Sequence, residues 1–573
     1  MRRLLSLWLL PLLLVAFKAS SVAAAKPNVV LITLDSTRAD RMGFLGSHGK
    51  LTPNLDALAR DSVVFERAYA QAPLTVVSHA TILSGTYPQT HKVTEFAAPL
   101  AGSLPYLPDL LHGKGYHTAA FVGAMALDPK NGGAPGFDRG FDVYDAGFHL
   151  PQKGEGRYQS VARRGDQVVA RALAWMAANS RGPFFLWVHL NDAHAPYGAS
   201  YDAGVRATDA AVGKLVAALR AQKLYDDTVI TVAADHGESL GAHGEDTHGV
   251  FLYDETIHVP LVVKLPHQQM AGKQVPARVR LVDVAPTMLE AAEVPVPSQM
   301  QGQSLLRVAR SNPNADQPVY VRSDFPQRAF GWSGLQAWMA GKYLYVRAPK
   351  PELYDLTADP GATHSLAQTS KATLDTIAGQ LEAFDSRFSQ GGKTAGPELS
   401  SSEMQKLASL GYVGLQKSAG TSTAASGTDP KDEIKTANKI QNAMLDLEAG
   451  QVEKVIAALQ PIVAKQPDMY LAQYALGVAL NQQQRYPQAI ERLHKAIELQ
   501  PDSSWAHYYM GVSLLKTGDF KTATVHLEIA AGRLTECVAA HAGLAEAYEH
   551  TGRVDDAKRE RAKAGTPGKG SKS

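Results

Sequence analysis

Three apolar runs constrain this chain most: Val29-Val30-Leu31-Ile32, Phe184-Phe185-Leu186-Trp187-Val188 and Val229-Ile230-Thr231-Val232, each followed by acidic or histidine residues. Runs that do not alternate with polar residues fit strands buried on both faces, the situation in a largely parallel sheet sandwiched by helices. Helical patterns separate such runs from Lys26 to about residue 300, so the expected class is α/β. In open sheets of this kind the ligand site lies beyond the carboxyl ends of the strands. Asp35, Asp192 with His194, and the pair Asp235-His236 are therefore expected to meet despite their separation in sequence.

A chain of 573 residues exceeds the roughly 250 to 300 residues that one core supports, so several domains are expected. Between about 315 and 390 the pattern shortens to pieces such as Val319-Tyr320-Val321 and Tyr343-Leu344-Tyr345-Val346, followed by a helix, which reads as a small α+β subdomain. Residues 416–431 are rich in Ser, Thr, Ala and Gly and read as a linker. Beyond it a period of 34 residues appears: Pro467-Asp468 recurs as Pro501-Asp502, Gly477 as Gly511, Ala489 as Ala523 and Ala557, and Leu493 as Leu527. That period resembles the tetratricopeptide repeat, a helix pair that buries its core by stacking on its neighbours. About four units are expected over 432–564, before a disordered basic tail at 565–573, and their expected role is to hold a protein partner.

The N-terminus carries Arg2-Arg3, an apolar stretch from Leu4 to Phe17 and small residues at Ala23-Ala24-Ala25, the pattern of a signal peptide over 1–25. The expected location is periplasmic or secreted, with membrane attachment only if that segment stays uncleaved. Cys537 is the single cysteine, so no internal disulfide is available. A net charge of +2 provides no field for nucleic acid, and no Gly-rich phosphate loop is evident.

Chemistry concentrates in three segments. Asp35 follows the first apolar run and suits a metal, or equally a turn. In Asp235-His236-Gly237-Glu238 an adjacent oxygen and nitrogen ligand suit manganese or zinc. In Ala72-Pro73-Leu74-Thr75-Val76-Val77-Ser78-His79, Thr75 stands just before a predicted helix whose free amides would favour a developing alkoxide and an anionic group, although Thr75 or Ser78 would serve equally as a helix cap.

Together with Asp192-Ala193-His194-Ala195-Pro196-Tyr197, Gly241-Ala242-His243-Gly244, His248-Gly249 and Glu352-Leu353-Tyr354-Asp355, these segments make residues 26–415 resemble the alkaline-phosphatase/sulfatase superfamily. The resemblance implies one divalent cation (manganese, zinc, calcium or magnesium) on Asp35, Asp235, His236 and the nucleophile Thr75. It further implies that His194 and His248 contact the substrate's charged oxygens or protonate its leaving group. His79, Arg38 and His243 are expected near the substrate; Arg38 would otherwise pair with Asp40, and His243 and His248 would otherwise be structural. His91 and His189 read as packing groups or supports. A second metal would call on Asp192, His194, His243 and His248, but Asp192 and His194 stand too close in sequence for that pattern.

The sulfatase order Cys-x-Pro-x-Arg reads here Thr75-x-Val77-x-His79, and threonine cannot be oxidised to the formylglycine aldehyde. The threonine form is similar to the phosphodiesterases, phosphonate hydrolases and phosphoglycerol transferases of the superfamily. The expected reaction is hydrolysis or transfer of a phosphate, phosphodiester or phosphonate of a small molecule or envelope component, through a covalent phosphothreonine. The competing expectation is a degenerate scaffold that only binds a partner through its repeats.

Overall fold

The computed structural model describes residues 26–130, 133–149, 155–311, 313–389, 401–410, 427–535 and 537–565. The expected signal peptide, most of the expected linker and nearly all of the basic tail lie outside them.

The first half is built on eight strands: β1 (Asn28–Leu34), β2 (Val63–Tyr69), β3 (His117–Phe121), β4 (Val143–Asp145), β5 (Phe184–Leu190), β6 (Thr228–Ala234), β7 (His258–Lys264) and β8 (Gln274–Arg280). They form one sheet in the order β4-β3-β5-β1-β6-β7-β2-β8. Neighbours pair in parallel except around β7, which runs antiparallel to both β6 and β2. The three apolar runs are the central strands β5, β1 and β6, and every residue of these is buried. Two groups of helices cover the sheet: Pro53–Arg60, Gly165–Asn179 and Tyr201–Ala221 pack together, as do Thr75–Ser84, Leu107–His112 and Val284–Ala291.

A second, antiparallel sheet follows, with β9 (Val319–Ser323), β10 (Leu335–Ala340), β11 (Tyr343–Arg347) and β12 (Glu352–Asp355) in the order β12-β11-β10-β9. The helix Lys371–Ser389 lies across it, and Tyr320, Trp338 and Phe384 join Tyr87 of the first domain in a separate aromatic core.

From Pro430 the chain is all helix: Pro430–Glu448, Val452–Lys465, Tyr470–Gln482, Tyr486–Leu499, Ser504–Thr517, Phe520–Arg533, Val538–His550 and Val554–Gly565 make four antiparallel pairs. The recurring small residue has a steric cause. A Cβ at Gly477 would stand 2.7 Å from Leu493 Cγ, and one at Gly511 would stand 2.5 Å from Leu527 Cγ, so the two middle helix pairs close over glycine. No described helix is long and apolar enough to cross a membrane.

The repeats lie against the catalytic half. Gln500 donates to Glu95 at 2.8 Å, Arg328 pairs with both Glu95 and Asp502, and the helix Phe325–Phe330 packs on Tyr470–Gln482. Asp429 accepts from the Lys350 amide at 2.9 Å, and Lys431 bonds Glu352. Part of the surface expected to receive a partner is thus covered by the chain itself.

Candidate active site

Strand register assembles the site. Leu34, the last residue of β1, lies opposite Leu190 of β5 and Ala234 of β6, so the residues that follow emerge side by side. The ladder runs on for one more step: the Asp35 amide donates to Leu190 O at 2.9 Å and the Asp235 amide to Leu34 O at 3.3 Å. Residues 200 apart in sequence thereby present two carboxylates to one spot at the sheet's rim.

Both carboxylates are buried, Asp35 to 1% and Asp235 to 0% exposure, with His236 at 0%. Asp235 Oδ1 accepts from the amides of Ser36 and His236, at 3.2 and 2.8 Å, while its Oδ2 and Asp35 Oδ2 receive no hydrogen bond. His236 Nδ1–H donates to Gly237 O at 2.9 Å, which leaves on Nε2 a lone pair that accepts from the Thr75 hydroxyl. Ligand atoms of Asp35, Asp235 and His236 lie within 4.8 Å of one another. Burial, then the charge of Asp35, pushes the Asp235 carboxyl well above its ordinary range, while burial holds His236 down to about 3 and His248 to about 4. A second carboxylate charge buried among neutral imidazoles would be unbalanced without a cation, and these residues could hold a metal ion. His79 and His189 also lie within ligand range of Asp235, but both nitrogens of His79 are already engaged.

Thr75 opens the helix Thr75–Ser84, its residue in the first turn, with Leu74 offering no side-chain cap. Its hydroxyl is 3.2 Å from His236 Nε2 and the residue is 8% exposed. The helix's unpaired amides put partial positive charge around that hydroxyl. Ser78 is no cap: its hydroxyl donates to Asp235 O at 2.6 Å and ties the helix to the end of β6.

His194 and His248 stand at the partly exposed edge. The His248 ring is 4.3 Å from that of His236 and 5.3 Å from that of His194, and its Nδ1 is 3.1 Å from Glu238 Oε1. Glu238 is assigned no role by its motif. It is wholly buried, burial raises its carboxyl to about 7, and it orients His248; its place in the run after His236 was visible, but its partner ten residues on was not. His189 supports Asp35, with its Nε2 3.2 Å from the free Oδ2.

Three expected substrate contacts are engaged by the protein's own groups. His79 is 0% exposed: Trp187 donates to Thr33 Oγ1 and Thr33 in turn to His79 Nε2, both at 2.9 Å, while His79 Nδ1–H donates to Thr75 O at 2.8 Å. It is a strut under the backbone of Thr75 and not a surface for substrate. Arg38 is occupied by Asp40 at 2.6 and 3.0 Å and by the carbonyls of Glu238 and Ser239, the pairing alternative. His243 bonds Glu255 at 2.5 Å and stacks 3.8 Å from Tyr253. It lines a cavity of about 550 Å³ with Tyr253, Glu255, Glu352, Tyr354 and Lys431, whose walls include neither Thr75 nor the two aspartates. Asp192 accepts the Gly165 amide at 2.9 Å at the start of a helix, away from any ligand set.

Residues 27–294 match the sulfatase family, 247–384 the family described as N-sulphoglucosamine sulphohydrolase, C-terminal, and 477–518 and 508–560 two tetratricopeptide-repeat families. An ulvan-active sulfatase of Formosa agariphila is 26% identical over 417 residues, 62% of this chain and 80% of that protein. Arylsulfatase K of Gallus gallus is 26% identical over 447 residues, 62% of this chain and 81% of that protein. The crystal structure of the phosphonate monoester hydrolase of Agrobacterium radiobacter shares the fold at a TM-score of 0.52, with 21% identity, over 63% of this chain and 96% of that one. Residues 27–384 are therefore a sulfatase-like hydrolase region of the alkaline-phosphatase/sulfatase superfamily, continued by C-terminal tetratricopeptide repeats.

Proposed function

We propose that this chain hydrolyses or transfers a phosphate, phosphodiester or phosphonate ester through a covalent intermediate on Thr75, using one divalent cation on Asp35, Asp235, His236 and Thr75. The observation that carries the reading is the pair of buried, unbonded carboxylate oxygens beside an unprotonated imidazole nitrogen that accepts from a threonine hydroxyl at a helix start. When bound, the cation supplies Lewis acidity, lowering the hydroxyl's pKa and offsetting the ester's negative charge.

The chain's own groups supply the rest. His79 fixes the Thr75 backbone, and the helix amides stabilise charge developing at the attacked group. Thr75 Oγ1 forms the bond to phosphorus as the bond to the leaving alcohol breaks on the opposite side. The Thr75 proton leaves to solvent as the hydroxyl ionises. His248, whose Nδ1 faces the Glu238 carboxyl held at about 7, relays that carboxyl's proton to the leaving alcohol. His194, its Nδ1–H committed to Ala195 O, contacts a non-bridging oxygen once its Nε2 takes up a proton. Water or an acceptor alcohol then attacks the phosphothreonine and releases Thr75.

Sulfate-ester hydrolysis is the second reading, favoured by the names of the two relatives above. Turnover of nitrophenyl phosphate, bis-nitrophenyl phosphate, nitrophenyl phosphonate and nitrophenyl sulfate by the metal-loaded chain separates the two. Phosphorus esters are expected to be preferred, and Thr75→Ala to abolish their turnover. A sulfate preference, or activity retained by Thr75→Ala, would sink the first reading.

On the N-terminal pattern we also propose that the protein acts outside the cytoplasm, and a full-length chain found only in the cytosolic fraction would refute it. For the repeat surface not covered by the catalytic half we propose a protein partner. Failure of intact cells to yield any crosslinked protein at that surface would count against it.

A further inference from the structure

The loop that carries His248 joins Gly237 to Asp254 with one turn of 3-10 helix, Ala242–Gly244, as its regular structure. Its own bonds brace its two ends: Ser239 N donates to Thr247 O at 2.7 Å, Gly241 N to Glu245 O at 2.8 Å, and the Glu245 carboxylate takes the amides of Val250 and Phe251. Its outer edge is met by the first repeat helix, Pro430–Glu448. Gln441 Nε2 donates to His248 O at 2.8 Å, and Asn438 donates to Gly244 O at 2.7 Å while accepting from the Asp246 amide at 3.1 Å. Asn442 Nδ2 donates to the Asp246 carboxylate at 3.0 Å. Ile434, one turn earlier, comes within 3.5 Å of where a Gly244 Cβ would stand.

Residues 434, 438, 441 and 442 share one face of the helix through steps of three and four residues. The Asn438 and Gln441 amides read main-chain donors and acceptors, which holds the loop's path at Gly244, Asp246 and His248, while Asn442 adds the Asp246 carboxylate. His248 sits with its ring on His236 and its Nδ1 on Glu238, so a shift of its backbone moves a ring already placed at the catalytic cluster.

We propose that the first repeat helix is a built-in positioning element of the active site, with Gln441 and Asn438 holding the loop so that His248 meets the substrate. The repeats thereby complete the catalytic half as well as offering surface to a partner. The inference rests on the role assigned to His248 above.

The test is a double-mutant cycle in the full-length, manganese-loaded chain with nitrophenyl phosphonate as probe. Misplacement of a reacting group by about 1 Å costs up to roughly 100-fold in rate, so a partial loosening by Gln441→Met is expected to lower kcat on the order of tenfold. KM should stay within about twofold, because a displaced proton donor acts in the transition state and not on ground-state binding. Asn438→Ala is expected to act in the same direction, which keeps the test open if one variant folds poorly. In a His248→Ala background, Gln441→Met should change kcat by less than about twofold, because the group it positions is gone. If Gln441→Met and Asn438→Ala leave kcat at the parent value, or lower it by the same factor with and without His248, the positioning role is overturned while that of His248 stands. If His248→Ala alone leaves kcat unchanged, the role of His248 falls and this inference falls with it.

Discussion

Acid should destabilise the protein measurably at one histidine outside the catalytic cluster. His91 is 1% exposed; its Nδ1 accepts the Val93 amide at 3.1 Å, so its proton is on Nε2 and donates to Thr81 Oγ1 at 3.0 Å. Thr81 belongs to the helix that opens with Thr75 and passes its own proton to Val77 O. Protonating His91 would set a second N–H against the Val93 N–H, and burial holds its pKa at about 3, against an ordinary 6.5. The folded state resists a proton that the unfolded chain accepts below 6.5, so stability is full above that value and is lost as pH falls toward 3. Each pH unit in that window costs about 1.4 kcal/mol, hence about 2 kcal/mol between roughly pH 7.5 and 5. Guanidinium unfolding of the parent and of His91→Gln at both values isolates this term, since every other group titrates in both chains. The variant should lose about 2 kcal/mol less than the parent over the interval. Equal losses would show that His91 is not held neutral and would refute the tautomer deduced from its partners.

The repeat packing and the metal site give further expectations. Gly511→Ala places a methyl 2.5 Å from Leu527 Cγ and should destabilise by about 1 to 3 kcal/mol in a thermal melt, with an unchanged midpoint refuting the close approach. If Asp35, Asp235 and His236 hold a cation, chelation should lower the parent's unfolding midpoint, by about 2.7 kcal/mol of stability where the cation had stood at about 100 times its Kd. Asp235→Asn should show little response to the chelator and little bound metal by elemental analysis. A chelator response equal to the parent's would place any bound cation elsewhere.

The sheet was legible because its central strands are apolar on both faces, and a parallel sheet has one place for ligands. From that rule alone Asp35 and Asp235 could be set together, and β1, lying between β5 and β6, brings them there. The roles of His79 and His243 were not legible. Motif alignment placed both near substrate, whereas burial under Thr75 in one case and a stack on Tyr253 in the other depend on partners distant in sequence. Arg38 was left between two roles, and in the structure it pairs with its neighbour Asp40. The 34-residue period announced the helix pairs, and the glycines at their closest contacts explain it. The docking of those pairs on the catalytic half left no trace in any pattern, since amides such as Asn438 and Gln441 recognise main chain and carry no periodic signature.

The central claim is that Thr75 itself takes up the transferred group beside the carboxylates of Asp35 and Asp235. Its most direct measurement is acid quenching of the cation-loaded chain during turnover of nitrophenyl phosphonate, followed by mass spectrometry of the peptide containing residues 75–84. The account predicts a phosphonyl adduct on Thr75, abolished by Thr75→Ala. Turnover with no adduct on Thr75 at any quench time, and with activity surviving Thr75→Ala, would contradict it.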